Sequence, residues 1–262
     1  IFPFRLLPEK TELHSVGKRR KFEIRDLEND ILYVNLPDFM HGNFAATVRA
    51  ALEKKMPSGL ILDIRENIGG MTLLGAQVAE LLISGEFSGC RKRTRIGRGV
   101  DLASASQIIL ESPEEQAREI AAGLYTQEDV EASRRQMAGT YTESYQDRFG
   151  REGQQALFTG PCVVLTSRRT VSAAEDFLAM LRSNRRATVI GTPTCGTTGT
   201  PMLLRLRCGG GARICSVGYR LLDGTEFLGC GIRPDIPMES TPEDILAGRD
   251  PVLEKAIDFL RK

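Results

Sequence analysis

Gly59-Leu-Ile-Leu-Asp-Ile-Arg-Glu-Asn-Ile-Gly-Gly70 is the stretch on which the fold turns. Its first half, Leu60 to Ile64, is an apolar run too short for a globular helix. Pro57-Ser58-Gly59 bounds it upstream, so it predicts a strand buried on both faces. Its second half is a polar turn ending in two glycines, whose N–H groups lack any side-chain shield. Upstream, Ile31-Leu-Tyr-Val-Asn-Leu36 predicts another buried strand, stopped by Pro37. Between the two strands, residues 44–55 carry helical spacing in Phe44, Val48, Ala51 and Leu52. Downstream, residues 72–83 predict a helix. Strand, helix, strand, turn, helix is the pattern of an α/β protein with a parallel sheet, and the strand at 31–36 is expected to run parallel to that at 60–64.

The same pattern resumes a hundred residues later. Pro161-Cys-Val-Val-Leu-Thr166 predicts a strand, and the loop Ser167–Val171 leads to Ser172 and a helix over 173–183. Ala187-Thr-Val-Ile190 predicts a strand ending in Gly191, followed by the polar loop Thr194-Cys-Gly-Thr-Thr-Gly199. Residues 201–207 and 212–219 predict a hairpin around Gly209-Gly-Gly211. Asp250-Pro251 is a helix start, with Asp as N-cap and Pro in the first turn, for a helix through Leu260. The chain is read as one domain over 1–262. Within it, 1–30 is a lead-in, and 86–158 is a helical insertion or lid, rich in Arg, Glu, Gln and Ser, with helices near 113–123 and 127–138.

Composition removes several classes of function. The 262 residues carry 35 basic and 34 acidic side chains, a net charge of +1. Such a balance argues against nucleic-acid or membrane-surface binding by bulk charge. Hydrophobic residues at 41% exclude wholesale disorder. No run reaches the ~18 apolar residues of a transmembrane span. Two histidines, His14 and His41, and six cysteines without a Cys-x-x-Cys pair argue against a structural zinc site; no metal or cofactor is called for. Cys208 and Cys215 flank the tri-glycine turn, either as a cross-hairpin pair or as free thiols. The chain opens on Ile1 with neither an initiator Met nor a signal sequence, and reads as a fragment or processed form.

Chemistry concentrates at Ser172. A serine immediately before a helix sits where backbone N–H groups converge and the helix dipole is positive. That field stabilises the oxyanion of a tetrahedral intermediate. The N–H of Ala173, the residue after the nucleophile, is one candidate donor; Gly69 or Gly70, on a turn that follows a strand, offers the second. Taken singly, Ser172 is an N-cap and Gly69-Gly70 a turn.

Four segments taken together change that balance. Gly59–Gly70 resembles the Leu-Asp-(Leu/Arg)-x-Asn-x-Gly-Gly strand-turn of the C-terminal processing (tail-specific) serine peptidases. Val171-Ser-Ala-Ala-Glu175 resembles their Ser-Ala-Ser-Glu nucleophile segment. Arg186-Ala-Thr-Val-Ile-Gly-Thr-Pro-Thr-Cys-Gly196 is similar to their Arg-Ala-x-Val-x-Gly-x-x-Thr-Phe-Gly, and Gly231-Ile-Arg-Pro-Asp-Ile236 to their Gly-Val-x-Pro-Asp-Ile. The resemblance covers roughly 31–83 and 158–260. It implies an α/β core shared with Clp proteases and crotonases, carrying here a helical insertion and a C-terminal hairpin and helix. It also implies a serine endopeptidase acting on polypeptide substrates, extracytoplasmic (periplasmic, secreted or membrane-anchored), with Ser172 as nucleophile and Ala173 and Gly69-Gly70 as the oxyanion elements.

One position departs from the family. Where most bacterial relatives carry the lysine that serves as general base, this chain has Thr197. A lysine works there because burial lowers its pKa; a threonine hydroxyl has no such basicity. The expected base is therefore a histidine oriented by a carboxylate. It is either a residue upstream of Ile1, before a PDZ-like peptide-binding module that this chain does not contain, or His41, which follows the strand at 31–36. Glu226 is the candidate carboxylate. Asp63 and Asp235 are expected to satisfy turn N–H groups, and Glu66 to face solvent or pair with Arg65. The alternative is a catalytically impaired, peptide- or hydrophobe-binding member of the same family. An acyl-CoA enzyme of the crotonase type ranks last.

Overall fold

The computed structural model describes residues 21–40, 42–94, 112–137, 147–206 and 210–261. A six-stranded sheet forms its centre. β2 (Ile31–Asn35), β3 (Gly59–Asp63), β5 (Cys162–Thr166), β6 (Thr188–Gly191) and β10 (Ile236–Pro237) run parallel, and β1 (Glu23–Leu27) pairs antiparallel to β2 at the edge. β2 and β3 pair from Ile31 opposite Gly59 to Asn35 opposite Asp63, the parallel arrangement expected from their apolar runs. Every residue of β2, β3 and β5 is buried, because helices cover both faces of the sheet.

Alternate side chains enter two separate cores, as the two-residue period of a strand requires. Ile31, Tyr33, Ile61, Val163 and Leu165 pack under α7 (Pro251–Leu260), which follows the short α6 (Pro242–Leu246), through Val252 and Ala256. Leu32, Val34, Leu60, Leu62 and Val164 face the larger core, which is filled from α1 (Phe44–Lys54), α2 (Thr72–Ala79) and α5 (Ala173–Ser183). Arg65 ties α7 to the end of β3: its guanidinium spans both Asp250 oxygens at 2.7 Å and also bonds Asp63, which accepts from Tyr33 Oη at 2.7 Å. Asp250 thus caps α7, accepting from Leu253 N–H, and anchors it to the sheet at the same time.

Three differences from expectation have local physical causes. The lead-in assigned to 1–30 includes β1, which has mixed exposure and little apolar signal of its own but gains a backbone ladder from the edge of β2. The helix expected over 72–83 stops at Ala79. Beyond it the chain tightens into a Leu81 N–H to Val78 O turn, and the Leu81 carbonyl accepts from Leu157 and Phe158. The strand expected over 212–219 breaks at Ser216, whose hydroxyl donates to Thr200 O at 2.6 Å. On one side β8 (Gly211–Cys215) pairs with β7 (Pro201–Arg205); on the other β9 (Val217–Leu221) pairs with β4 (Cys90–Thr94), a strand contributed by the 86–158 segment. Of the two cysteines flanking the tri-glycine turn, Cys215 stands in register with Pro201, at the end of the hairpin away from its turn, and Cys208 lies outside the described residues.

Within 86–158, α3 (Pro113–Ala121) buries no side chain, and α4 (Gln127–Met137) buries Val130 and Ser133. Phe87 and Phe149 stack with ring centroids 6.0 Å apart and exchange backbone hydrogen bonds. Among the described residues no helix is long and apolar enough to cross a membrane.

Candidate active site

β3 and β5 are neighbours, so the loops leaving their C-terminal ends meet. Ligand sites in parallel sheets form at such ends. The turn after β3 is held by Asn67, which is fully buried. Its Nδ2 donates to Leu36 O (3.0 Å), its Oδ1 accepts from Gly69 N–H (2.9 Å), and its carbonyl accepts from Val171 N–H (2.9 Å). One side chain and one carbonyl thereby join the ends of β2, β3 and β5. Thr170 adds a second tie, from its hydroxyl to Ile64 O at 2.9 Å.

Ser172 follows at the N-cap of α5 with φ 58° and ψ −125°. A non-glycine residue in that region is strained by ~1–3 kcal/mol and persists only where its surroundings leave no alternative. Here the constraint is Gly69. A methyl group on its Cα would lie 2.7 Å from Ser172 Cβ, 2.7 Å from Val171 O and 3.0 Å from Ala173 N. Gly69 itself has φ +91° and Gly70 φ +136°, both costly for any other residue. Gly70 lies against Phe39: Phe39 N–H donates to Gly69 O at 2.8 Å and Met71 N–H to Phe39 O at 2.7 Å. Of the two glycine amides, that of Gly69 is taken by Asn67. Among the described residues the N–H groups of Gly70 and Ala173 have no hydrogen-bond partner.

Two buried carboxylates stand behind the serine. Glu175 accepts from Thr194 Oγ1 (2.6 Å), Gly196 N–H (2.7 Å), Thr197 N–H (2.8 Å) and Ser172 N–H (3.2 Å). Thr194 Oγ1 already accepts from Ile232 N–H at 2.7 Å, so its own proton points to Glu175. All four partners are donors, which suits the ionised carboxylate. Burial nevertheless pushes the Glu175 carboxyl above its ordinary value, with those hydrogen bonds pulling against it. Asp176 accepts from the Thr72 and Thr198 hydroxyls, each at 2.7 Å, and burial lifts it to about 6. Its two oxygens therefore bridge the first residue of α2 and the loop after Thr197. No motif in the sequence singled out Asp176, Thr72 or Thr198. The available signal was an acidic pair inside an otherwise apolar helix, Ala-Ala-Glu-Asp-Phe-Leu.

The other candidates fall as follows. Ser172, Ala173, Gly69 and Gly70 come together. His41 and His14 lie outside the described residues; the described chain reaches Met40, whose N would be 2.7 Å from a methyl group on Gly70. Thr197 contributes its N–H to Glu175. Glu226 is exposed and ion-paired with Arg220 across the β9 turn. Glu66 pairs with Arg169 at 3.0 Å rather than with Arg65, whose guanidinium is committed to Asp63 and Asp250. Asp63 accepts Arg65 N–H, and Asp235 accepts Val189 N–H at 2.8 Å. Among the described residues no cluster of three metal-ligating side chains occurs.

Comparison with known proteins agrees with this architecture. The chain is 25% identical over 217 residues to a chloroplastic C-terminal processing peptidase of Tetradesmus obliquus, covering 81% of this chain and 36% of that protein. It is 24% identical over 251 residues to a putative tricorn-like protease C-terminal subunit of Sulfurisphaera tokodaii, covering 94% of this chain and 23% of that protein. The chain thus spans about a third or less of these two relatives. Among solved structures, a putative peptidase from Parabacteroides merdae superposes with a TM-score of 0.66 at 22% identity, covering 91% of this chain and 64% of that one. Mature CPAF bound to lactacystin gives 0.62 at 18% identity, over 86% and 50%. Residues 30–238, which include both glycines, Ser172 and the two buried carboxylates, match peptidase family S41, and the chain belongs to that family.

Proposed function

We propose that this chain is the catalytic domain of a serine endopeptidase of the tail-specific type. Ser172 attacks the scissile carbonyl of a polypeptide substrate, and the N–H groups of Ala173 and Gly70 receive the oxyanion. The observation that carries this is the contact of Gly69 with a strained Ser172, beside two unclaimed amides. Aiming two fixed N–H donors at the position where charge develops is worth ~2.7–4 kcal/mol per donor in comparable sites. Glu175 and Asp176 act as positioning residues: they hold the 194–198 loop and α2 around the serine and touch no reacting atom.

The base is a histidine, either His41 or a residue upstream of Ile1. Kinship with C-terminal processing peptidases supports an extracytoplasmic protein with further segments, including a PDZ-like module. The 86–158 segment is taken as a helical insertion or lid over one face. A catalytically impaired binding member is the second possibility, favoured by one observation: the lysine position is held by Thr197, whose hydroxyl offers no basicity near neutral pH.

Treating the full-length protein with a fluorophosphonate separates the two. A peptidase gains one adduct on Ser172, with a labelling rate that rises through the histidine pKa and falls at least ~100-fold in His41→Ala. A folded protein that takes no adduct is the binding member. Labelling unchanged in His41→Ala assigns the base to the upstream histidine.

A further inference from the structure

At the opposite end of the sheet, where β5 and β6 begin, lies a cavity of about 650 Å³. Arg182, Arg185 and Arg186 line it, together with Asp223, Asp235 and Phe259. The arginines come from the last turn of α5 and the residues after it, about one helix length from Ser172.

Arginines at a helix C-terminus ordinarily serve its exposed carbonyls. These do not. The carbonyls of Met180, Leu181 and Arg182 are closed by the N–H groups of Asn184, Arg186 and Arg185, and Asn184 Nδ2 adds a second bond to Met180 O at 2.7 Å. Arg182 reaches away to Arg233 O (2.7 Å) and to Asp235 (3.3 Å). Arg186 bonds the carbonyls of Leu82, Phe158 and Gly160. Among the described residues its charge therefore meets dipoles and no carboxylate. The exposed Arg185 side chain has neither a hydrogen bond nor an ion pair among the described residues.

The backbone singles out Arg185 as well. It occupies the position after the helix cap with φ 52°, where glycine is the unstrained choice. A charged side chain is thus carried at a strained position and lines a cavity with two other guanidiniums. Both acidic side chains in the wall are already satisfied: Asp223 accepts from Thr225 N–H at 2.8 Å, and Asp235 accepts from Val189 N–H and pairs with Arg182. Cys162, at the first position of β5, is held as an inert thiol, its pKa pushed by burial to about 12. The cavity has recognition groups and no nucleophile.

We propose that this cavity is a binding site for a small organic phosphate monoester, separate from the Ser172 cleft. Arg185 and Arg182 would receive the phosphate, since guanidinium forks match tetrahedral oxyanions. Phe259, 38% exposed, would cover the organic portion. The depression is open to solvent and its volume exceeds the needs of inorganic phosphate.

Calorimetric titration of the full chain at low ionic strength, with phenyl phosphate and inorganic phosphate as probes, tests this. Phenyl phosphate is expected to bind saturably at one site, at least tenfold tighter than inorganic phosphate. Arg185→Gly should weaken it at least tenfold while raising Tm, because glycine relieves the backbone; loss of binding then cannot be laid to misfolding. Ser172→Ala should bind as wild type does, which keeps this site independent of the peptidase assignment. Equal binding by Arg185→Gly, or no saturable binding of phenyl phosphate by the wild type, overturns the site. Equal affinity for the two probes overturns the organic half of the ligand.

Discussion

α5 is bracketed by two non-glycine residues of positive φ, Ser172 at 58° and Arg185 at 52°, and the two are held in different ways. Ser172 is held from several sides: Gly69 abuts its Cβ, Asn67 ties Val171, and Glu175 accepts from its N–H. On Arg185 itself only the helix closure acts, through its N–H to Arg182 O, while its neighbours Asn184 and Arg186 bond the carbonyls of Ser88, Leu82, Phe158 and Gly160. At the first end strain is imposed by tertiary structure and cannot relax without dismantling three loops. At the second it is local and would vanish with one glycine. The same backbone signal thus marks a pre-organised cleft in one place and the cost of one side chain in the other.

The largest test of this contrast is Ser172→Ala. Peptide turnover should fall by at least ~10⁴-fold, as loss of a serine nucleophile does elsewhere, with the urea midpoint nearly unchanged. Activity retained within tenfold would remove the functional meaning of the strained end. Next comes Glu175→Ala, which strands four donors in the interior. We expect a loss of ~3 kcal/mol or more in unfolding free energy, read from urea denaturation. A loss below ~1 kcal/mol would mean that the 194–197 loop is not held as the hydrogen bonds indicate.

Asp176 gives a pH-dependent version. Its folded pKa of about 6 lies above its unfolded value of ~3.9. The folded chain therefore binds the proton more tightly, so this contribution is full below pH ~4 and is lost as pH rises through ~6. It amounts to ~2–3 kcal/mol. Glu175, raised by burial, slopes the same way. Asp176→Asn can still bond both threonine hydroxyls, accepting from one and donating to the other, and should flatten the pH 4–6 loss. An unchanged slope would place the titration elsewhere. The smallest expected effect is at the far end of α5: Arg185→Gly should stabilise the fold by ~1 kcal/mol. Destabilisation would show that Arg185 has a partner in the folded protein.

The strands at 31–36, 60–64, 161–166 and 187–190 and the start of α5 were legible because each is a buried apolar run between Gly or Pro breaks. The meeting of Ser172 with Gly69 was legible only through the resemblance, since those residues are a hundred positions apart. Pairing of β4 with β9 was not legible at all. Cys90-Arg-Lys-Arg-Thr94 has no strand pattern of its own and becomes a strand by lying beside Val217–Leu221. Nor was the committed state of Gly69 N–H, because a side chain two residues away takes it.

The order of strands and helices, the parallel sheet and the serine at a helix start follow from the sequence alone, because burial periodicity and turn chemistry are local properties. Which amides are left free and which carboxylates are buried were decided by tertiary packing. Hydrogen bonds are allotted by distance between segments far apart in the chain, and no local pattern records that distance.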